Sequence, residues 1–333
     1  MRRLMVQYIQ SDIATERSVY MDIRCTQNIF QSANGSSKVS YYILTPEGVP
    51  TRGVVQIVHG MCEYFSRYTV FAKYLCQLGY VVCGHDQIGH GASASKQSEL
   101  GYFAPRDGWK YLIEDVGKLR EIMQKRYPEL PYFLFGHSMG SMIARLYLAE
   151  HGEGLAGAVI CGTVGPNPAA RMGIQMANST IGSRGMHYRS AMLHSMAFSG
   201  YNKRFKDENN EHAWLTRDHA IVDMYQADEK CNFIFTAVGF RDLFNLVYRC
   251  NRRACYRATP HTLPVLLIAG DQDPVGNYGK GVRRVAAMYK ANGQKDLDLI
   301  FYKDCRHEIL NEINKLDVFA DISRWLEEKL PKE

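Results

Sequence analysis

The feature that most restricts what this chain can fold into is a repeated alternation. Short, almost wholly apolar runs stand at Val54 to Val58, Tyr80 to Cys83, Tyr132 to Phe135, Ala158 to Cys161 and Val265 to Ala269. A strand buried on both faces reads this way, because neither alternating set of side chains meets water. Between the runs, apolar residues recur at helical spacing. Val70, Phe71, Tyr74, Leu75 and Leu78 share one face, with Gly79 placed to end the helix. Leu112, Val116, Leu119 and Met123 share a second face, and Val282, Val285, Ala286 and Tyr289 a third. A further strand over Val39 to Leu44 follows the turn-rich Ser32-Ala33-Asn34-Gly35-Ser36. Leu297, Leu299 and Phe301 end the strand series, and a closing helix carries Leu316, Phe319, Ile322, Leu326 and Leu330. Strands that alternate with covering helices predict an α/β fold with a mostly parallel central sheet.

Residues 165–260 break the rhythm, with helical segments and no convincing buried strand. A right-handed crossover needs no such excursion. The expected organisation is a core of residues 1–164 and 261–333, with residues 165–260 inserted as a helical cap over the strand ends. The first two dozen residues show no period and read as a loosely attached extension. Met1-Arg2-Arg3 is not followed by an apolar stretch, so no secretory leader is expected.

The chemistry is concentrated at three strand ends. Gly136-His137-Ser138-Met139-Gly140 directly follows one apolar run and directly precedes an amphipathic helix around Ile143, Leu146 and Tyr147. A nucleophile presented on so tight a strand-to-helix turn needs glycines at both flanks to relieve crowding, which makes Ser138 the candidate nucleophile. A serine hydroxyl is weak unless a base takes its proton. His307, on the loop after the last strand, is the candidate base. Asp271 and Asp273 both follow the run ending at Ala269; Asp273, with Pro274 after it, is favoured as the acid that orients the histidine. The chain order Ser, Asp, His suits an α/β hydrolase rather than other serine-hydrolase folds. Two main-chain N–H groups are expected to stabilise the oxyanion, those of Met139 and of Met61, which follows His59-Gly60 at the end of another strand.

With these residues in view a resemblance emerges. H-G-M-C-E-Y-F-S-R-Y at 59–68 resembles the H-G-x-x-E-H-x-x-R-Y signature of monoacylglycerol lipases and bacterial lysophospholipases. H-D-Q-I-G-H-G-A-S at 85–93 resembles their D-x-x-G-H-G-x-S segment, and the likeness runs through roughly residues 40–330. It implies an α/β-hydrolase fold, cleavage of carboxylic esters through an acyl-enzyme, Ser138, Asp273 and His307 as catalytic residues, Met61 and Met139 as oxyanion donors, and no cofactor. Tyr64 departs from the pattern, which has histidine there.

The substrate class this implies is a small-molecule ester bearing an acyl chain. Met172, Met176, Met186, Met192 and Met196, with Phe198, Tyr201, Phe233, Phe235, Phe240 and Phe244, either line an apolar tunnel for that chain or pack the cap's own interior. A non-lipid esterase, amidase or peptidase of the same fold is the rival, with Glu208 and Glu211 available to a free amino terminus. A ligand-binding protein of this fold without turnover is a rival of another class.

The formal net charge of +6 does not mark a nucleic-acid binder. Arg249, Arg252, Arg253 and Arg257 bunch before a strand, as a solvated helix end or as a contact for an anionic membrane surface. Gly89, Gly91 and Ala94 match a dinucleotide fingerprint formally, but no helix begins there. No His/Cys pair has metal-ligand spacing, so no metal is expected. The nine cysteines show no disulfide framework, which predicts a reducing, cytoplasmic setting, with peripheral membrane contact through the cap left open.

Overall fold

The computed structural model describes residues 22–331. Its centre is an eight-stranded sheet in the order β1-β2-β4-β3-β5-β6-β7-β8. The strands are β1 (Ile23–Gln31), β2 (Lys38–Pro46), β3 (Gly53–Val58), β4 (Tyr80–His85), β5 (Tyr132–His137), β6 (Gly157–Cys161), β7 (Val265–Gly270) and β8 (Leu297–Tyr302). β3 to β8 run parallel, while β1 pairs antiparallel with β2, and β2 with β4. This is the α/β-hydrolase architecture expected from the alternation of strands and helices.

The apolar runs are two-faced, as their composition requires. In β3, Val54 and Val58 join one buried cluster, and Val55 and Ile57 join the other. β5 repeats this, with Leu134 on one side and Phe133 and Phe135 on the other. Helices α1 (Thr69–Gln77) and α10 (Lys315–Glu328) cover the second face, where Phe71 packs 5.6 Å from Phe135 and 5.0 Å from Phe319. Burying each such phenyl ring stabilises the fold by about 2–3 kcal/mol. On the first face lie α2 (Gly108–Arg126), α3 (Met139–His151) and α9 (Lys280–Ala291), whose Val282, Val285, Ala286 and Tyr289 are buried as their spacing predicts. Gln56 points into the same face without cost: its amide donates to Val116 O and accepts from the Tyr132 hydroxyl.

Two expectations are corrected. The last two of those two dozen residues, Ile23 and Arg24, are not a loose extension but open β1, an edge strand paired with β2 along its whole length. Its polar, largely exposed face hides the alternation, although the turn at 32–36 is the hairpin that forms it. Residues 1–21, on which the rest of that expectation and the absence of a leader fall, lie outside the described residues. Leu316 is 65% exposed rather than on the buried face of α10, which is carried by Val318, Phe319, Ile322, Trp325 and Leu326.

Between β6 and β7 the described chain forms helices and no strand: α4 (Ala169–Arg184), α5 (Ala191–Phe198), α6 (His219–Ala227), α7 (Ala237–Cys250) and α8 (Arg253–Ala258). The last of these packs on α3 and α9 beside the sheet. Arg249 closes α7 with its guanidinium over the Trp109 ring, and Arg252 bonds the Tyr248 hydroxyl, so these two basic residues are held at a helix end. No helix among the described residues is long and apolar enough to cross a membrane.

Candidate active site

Because β3, β5, β7 and β8 are parallel, the loops that leave their carboxyl ends gather at one edge of the sheet. Those loops carry Met61, Ser138, Asp273 and His307. Ser138 sits between β5 and α3 with φ 53° and ψ −117°, a backbone conformation that side-chain-bearing residues rarely adopt. The glycines around it are there for space. A Cβ on Gly136 would come within 2.5 Å of Gly140 O and 2.8 Å of the Ala144 methyl. A Cβ on Gly140 would run into the carbonyls of Val58 and His59, and one on Gly60 would stand 3.0 Å from Ser138 Cβ. The elbow and the loop after β3 are therefore in direct contact.

His307 Nδ1 lies 3.0 Å from Asp273 Oδ1, and both side chains are buried. The same Asp273 oxygen accepts from Val275 N at 2.9 Å, which fixes the carboxylate in its turn. A carboxylate can only accept, so Nδ1 carries the proton and Nε2 is the basic nitrogen. Asp271 does something else. Its Oδ1 accepts from Asp304 N at 2.9 Å and ties the turn after β7 to the loop after β8. Of the two carboxylates, Asp273 is the one that meets the histidine.

Ser138, Met61, Met139 and His307 line a common cavity of about 660 Å³. Met139 is the first residue of α3, where the main-chain N–H has no partner within its own helix. The far wall comes from the segment between β6 and β7. Of its apolar residues, Met196, Phe198, Tyr201, Phe233 and Phe244 face the cavity. Phe235 and Phe240 instead pack in the core, and Met172, Met186 and Met192 are exposed. Some of these residues thus face the cavity and others pack the interior, and Phe244 does both. Trp214 closes on the histidine, with its ring 5.1 Å from that of His307 and its carbonyl accepting from His307 N.

Glu63, Arg67, Tyr68 and His137 stand inside the sequence motifs without an assigned role, and Glu308 directly follows the candidate base. The structure gathers all five beneath the site. Arg67 forms two hydrogen bonds to Glu308, at 2.7 and 2.8 Å, and one to Glu63 at 3.0 Å. Glu63 also accepts from Gly60 N and from the Tyr68 hydroxyl. Burial alone would raise the Glu63 carboxyl, yet the hydrogen bond and charge of His137, with Arg67, hold it well below the ordinary carboxylate range. Glu308 is likewise held low, burial being outweighed by Arg67. The available signal was two acids and a base placed immediately after apolar strands, where burial forces charges to pair.

Glu208 does not stand free. Arg306 holds it in a two-pronged ion pair, and Arg306 also donates to Ala213 O. Glu211 lines the cavity with its side chain 81% exposed. The Gly91–Ser93 segment is one short 3₁₀ turn, not the helix a dinucleotide site needs. No cluster of three or more metal-ligating side chains occurs among the described residues.

A family model described as serine aminopeptidase, S33, matches residues 49–314. The monoglyceride lipase of Homo sapiens is 26% identical over 288 residues, covering 85% of this chain and 85% of that protein. The monoacylglycerol lipase of Mycolicibacterium smegmatis is 28% identical over 296 residues, covering 88% and 94%. A thermostable carboxyl esterase from Bacillus coagulans, solved with glycerol, superposes with a TM-score of 0.87 at 32% identity, covering 93% of this chain and all of that one. With the elbow, the buried acid–histidine pair and the sheet order all present, the chain belongs to this S33 family of α/β-hydrolase-fold enzymes.

Proposed function

We propose that this protein hydrolyses carboxylic esters of monoacylglycerol or lysophospholipid type through an acyl-enzyme on Ser138. The observation that carries the reading is the His307–Asp273 pair set beside Ser138 at the wall of an apolar cavity. In this reading His307 Nε2 takes the hydroxyl proton, Ser138 Oγ attacks the ester carbonyl, and the Met61 and Met139 N–H groups stabilise the oxyanion. The imidazolium then protonates the departing alcohol, and water repeats the sequence on the acyl-enzyme. Residues 165–260 act as the cap, seating the acyl chain against Met196, Phe198 and Phe244.

The similar monoglyceride and monoacylglycerol lipases support the lipid reading, while the aminopeptidase description of the family points to peptides. A peptidase acting on a free amino terminus needs an unspent carboxylate near Ser138. Glu208 is already neutralised by Arg306, while Glu211, at the cavity, lies mostly in water, so neither is a buried anchor for an amino terminus. Exposed Met172, Met186, Tyr188 and Met192 give the cap an outward apolar face, and we infer that this face touches membrane lipid. The cytoplasm suits the cysteines, all nine of which are free thiols and all but Cys25 buried.

The test is kcat/KM over matched esters from acetyl to palmitoyl, including a monoacylglycerol and a lysophospholipid, with Ser138→Ala as blank. A rise with chain length that disappears in the variant is expected, the loss being on the order of a millionfold. Activity confined to acetyl and butyryl esters would move the protein to the small-ester class. Normal turnover by purified Ser138→Ala would refute the nucleophile.

A further inference from the structure

His137 stands between the two halves of the site. It ends β5, immediately before Ser138, and its ring lies 4.8 Å from the ring of His307. Nδ1 faces two oxygens, Glu63 Oε1 at 3.1 Å and the Tyr68 hydroxyl at 2.9 Å. Tyr68 spends its own proton on Glu63 at 2.7 Å, so towards His137 its oxygen can only accept. Nε2 faces the main-chain carbonyl of His307 at 3.3 Å, and a carbonyl has no proton to give. Both ring nitrogens therefore need one.

Charge counting within the buried cluster leads to the same place. Glu63 and Glu308 bring two negative charges and Arg67 one positive, all of them nearly excluded from water. A buried excess charge is expensive unless a partner cancels it. His59 is close but cannot serve: its Nε2 accepts from Gln87 N at 2.9 Å, and burial pushes its pKa down to about 3. The thiols of Cys161, beside His137 in the sheet, and of Cys231 are driven upward by burial and stay neutral. Tyr68 and Tyr225, the latter with its ring against Arg67, are also raised and uncharged. His90 and His212, which also act on these carboxylates, are pushed down by burial, so among the described groups facing the cluster His137 is the one left to supply the second positive charge.

We propose that His137 is a positioning residue that works as an imidazolium, gripping the main-chain carbonyl of His307 from one nitrogen and Glu63 from the other. Glu63 in turn holds Gly60 N, so a single proton keeps the nucleophile elbow, the base loop and the oxyanion loop in register. The proposal rests on the reading of Ser138 and His307 as nucleophile and base. Burial opposes the charge, but the hydrogen bond and charge of Glu63, with Glu308 and the His307 carbonyl, raise the His137 pKa above its ordinary value. A histidine raised on folding contributes fully below its unfolded value of about 6.5, and that contribution is lost as pH climbs through the folded one. Catalysis should accordingly fall on the alkaline side as this proton leaves.

The first experiment is ¹⁵N NMR of the wild-type protein labelled in its histidine rings. Among the eleven histidines, one ring is expected to keep both nitrogens protonated well above the pH at which exposed histidines titrate. That signal should vanish in His137→Gln and lose a proton in Glu63→Gln. His137→Gln should lower kcat about ten- to a hundredfold, leave KM within about twofold, and displace the alkaline limb of the kcat profile. If every wild-type histidine is singly protonated at pH 8, or if the alkaline limb is unchanged in His137→Gln, the proposal is overturned. The wild-type spectrum decides even where the variants do not fold. Failure of the hydrolase reading is separate: no ester would be turned over and no fluorophosphonate would label Ser138, whatever the histidine spectrum shows.

Discussion

In the sheet, strands β3 to β7 are buried from end to end. The helical segment between β6 and β7 packs apolar side chains such as Phe235 and Phe240 into the same core, but it also reaches the loops of the sheet through polar ties. Arg306 holds Glu208, Arg217 donates to Glu312 at 2.8 Å, and Arg189 donates to Leu100 O at 2.8 Å. The Tyr64 hydroxyl donates to Asp228 at 2.6 Å, and Thr236 Oγ1 to Gly101 O at 2.7 Å. Apolar packing is non-directional and is lost only as a whole. Polar ties are directional and break one at a time, so the parts of the segment they hold can loosen while the sheet beneath Ser138 stays intact.

The difference should show most strongly where backbone meets backbone. Gly140→Ala forces a methyl into the carbonyls of Val58 and His59, and is expected to cost about 3 kcal/mol. The measurement is denaturant unfolding, and an unchanged midpoint would mean that the elbow and the β3 loop are not in contact. Arg306→Ala should be milder, about 2 kcal/mol, because Glu208 is a quarter exposed and water can replace part of the pair. Hydrogen exchange should then quicken around Tyr201 to Thr216 and remain slow in β3 and β5. Equal quickening in both would erase the distinction between sheet and segment.

A third change sharpens the comparison through pH. Asp242 on α7 is buried against the start of α2, and burial, offset only in part by Arg241, lifts its carboxyl to about 7. A carboxyl raised on folding binds its proton more tightly in the folded state, so stability falls as pH rises from about 4 towards 7 and is flat beyond. Asp242→Asn should remove that slope and raise Tm by about 2 °C or more at pH 8, with little change at pH 4. The smallest effect should come from Gly182→Ala in α4. Nothing lies within 4 Å of the new methyl, and helix propensity alone should add somewhat under 1 kcal/mol. A loss there equal to that at Gly140 would show the segment to be as tightly packed as the sheet.

The same contrast explains what could be read from the sequence. Strands such as Val54 to Val58 announce themselves because both faces are dry, and Gly136 and Gly140 because a tight turn tolerates nothing larger. β1 escaped because an exposed edge strand with Arg24, Thr26 and Asn28 carries no apolar signal. The division of labour among the methionines also escaped, since Met192 and Met196 lie on one short helix yet one meets solvent and the other the cavity. The buried charge cluster was present in the motifs but silent, because pairing between Arg67 and Glu308 spans 241 positions and only the fold brings them together.

Ser138 occupies a backbone conformation that glycine would enter without strain. On the proposed reading of Ser138 as nucleophile, stability and reactivity pull in opposite directions at this one position: Ser138→Gly should melt later than the native chain and lose ester hydrolysis. The tension stored in the turn is held in place by the strand before it and the helix after it. Part of what the large dry sheet contributes to stability is thus committed to keeping one hydroxyl where relaxed backbone would not put it.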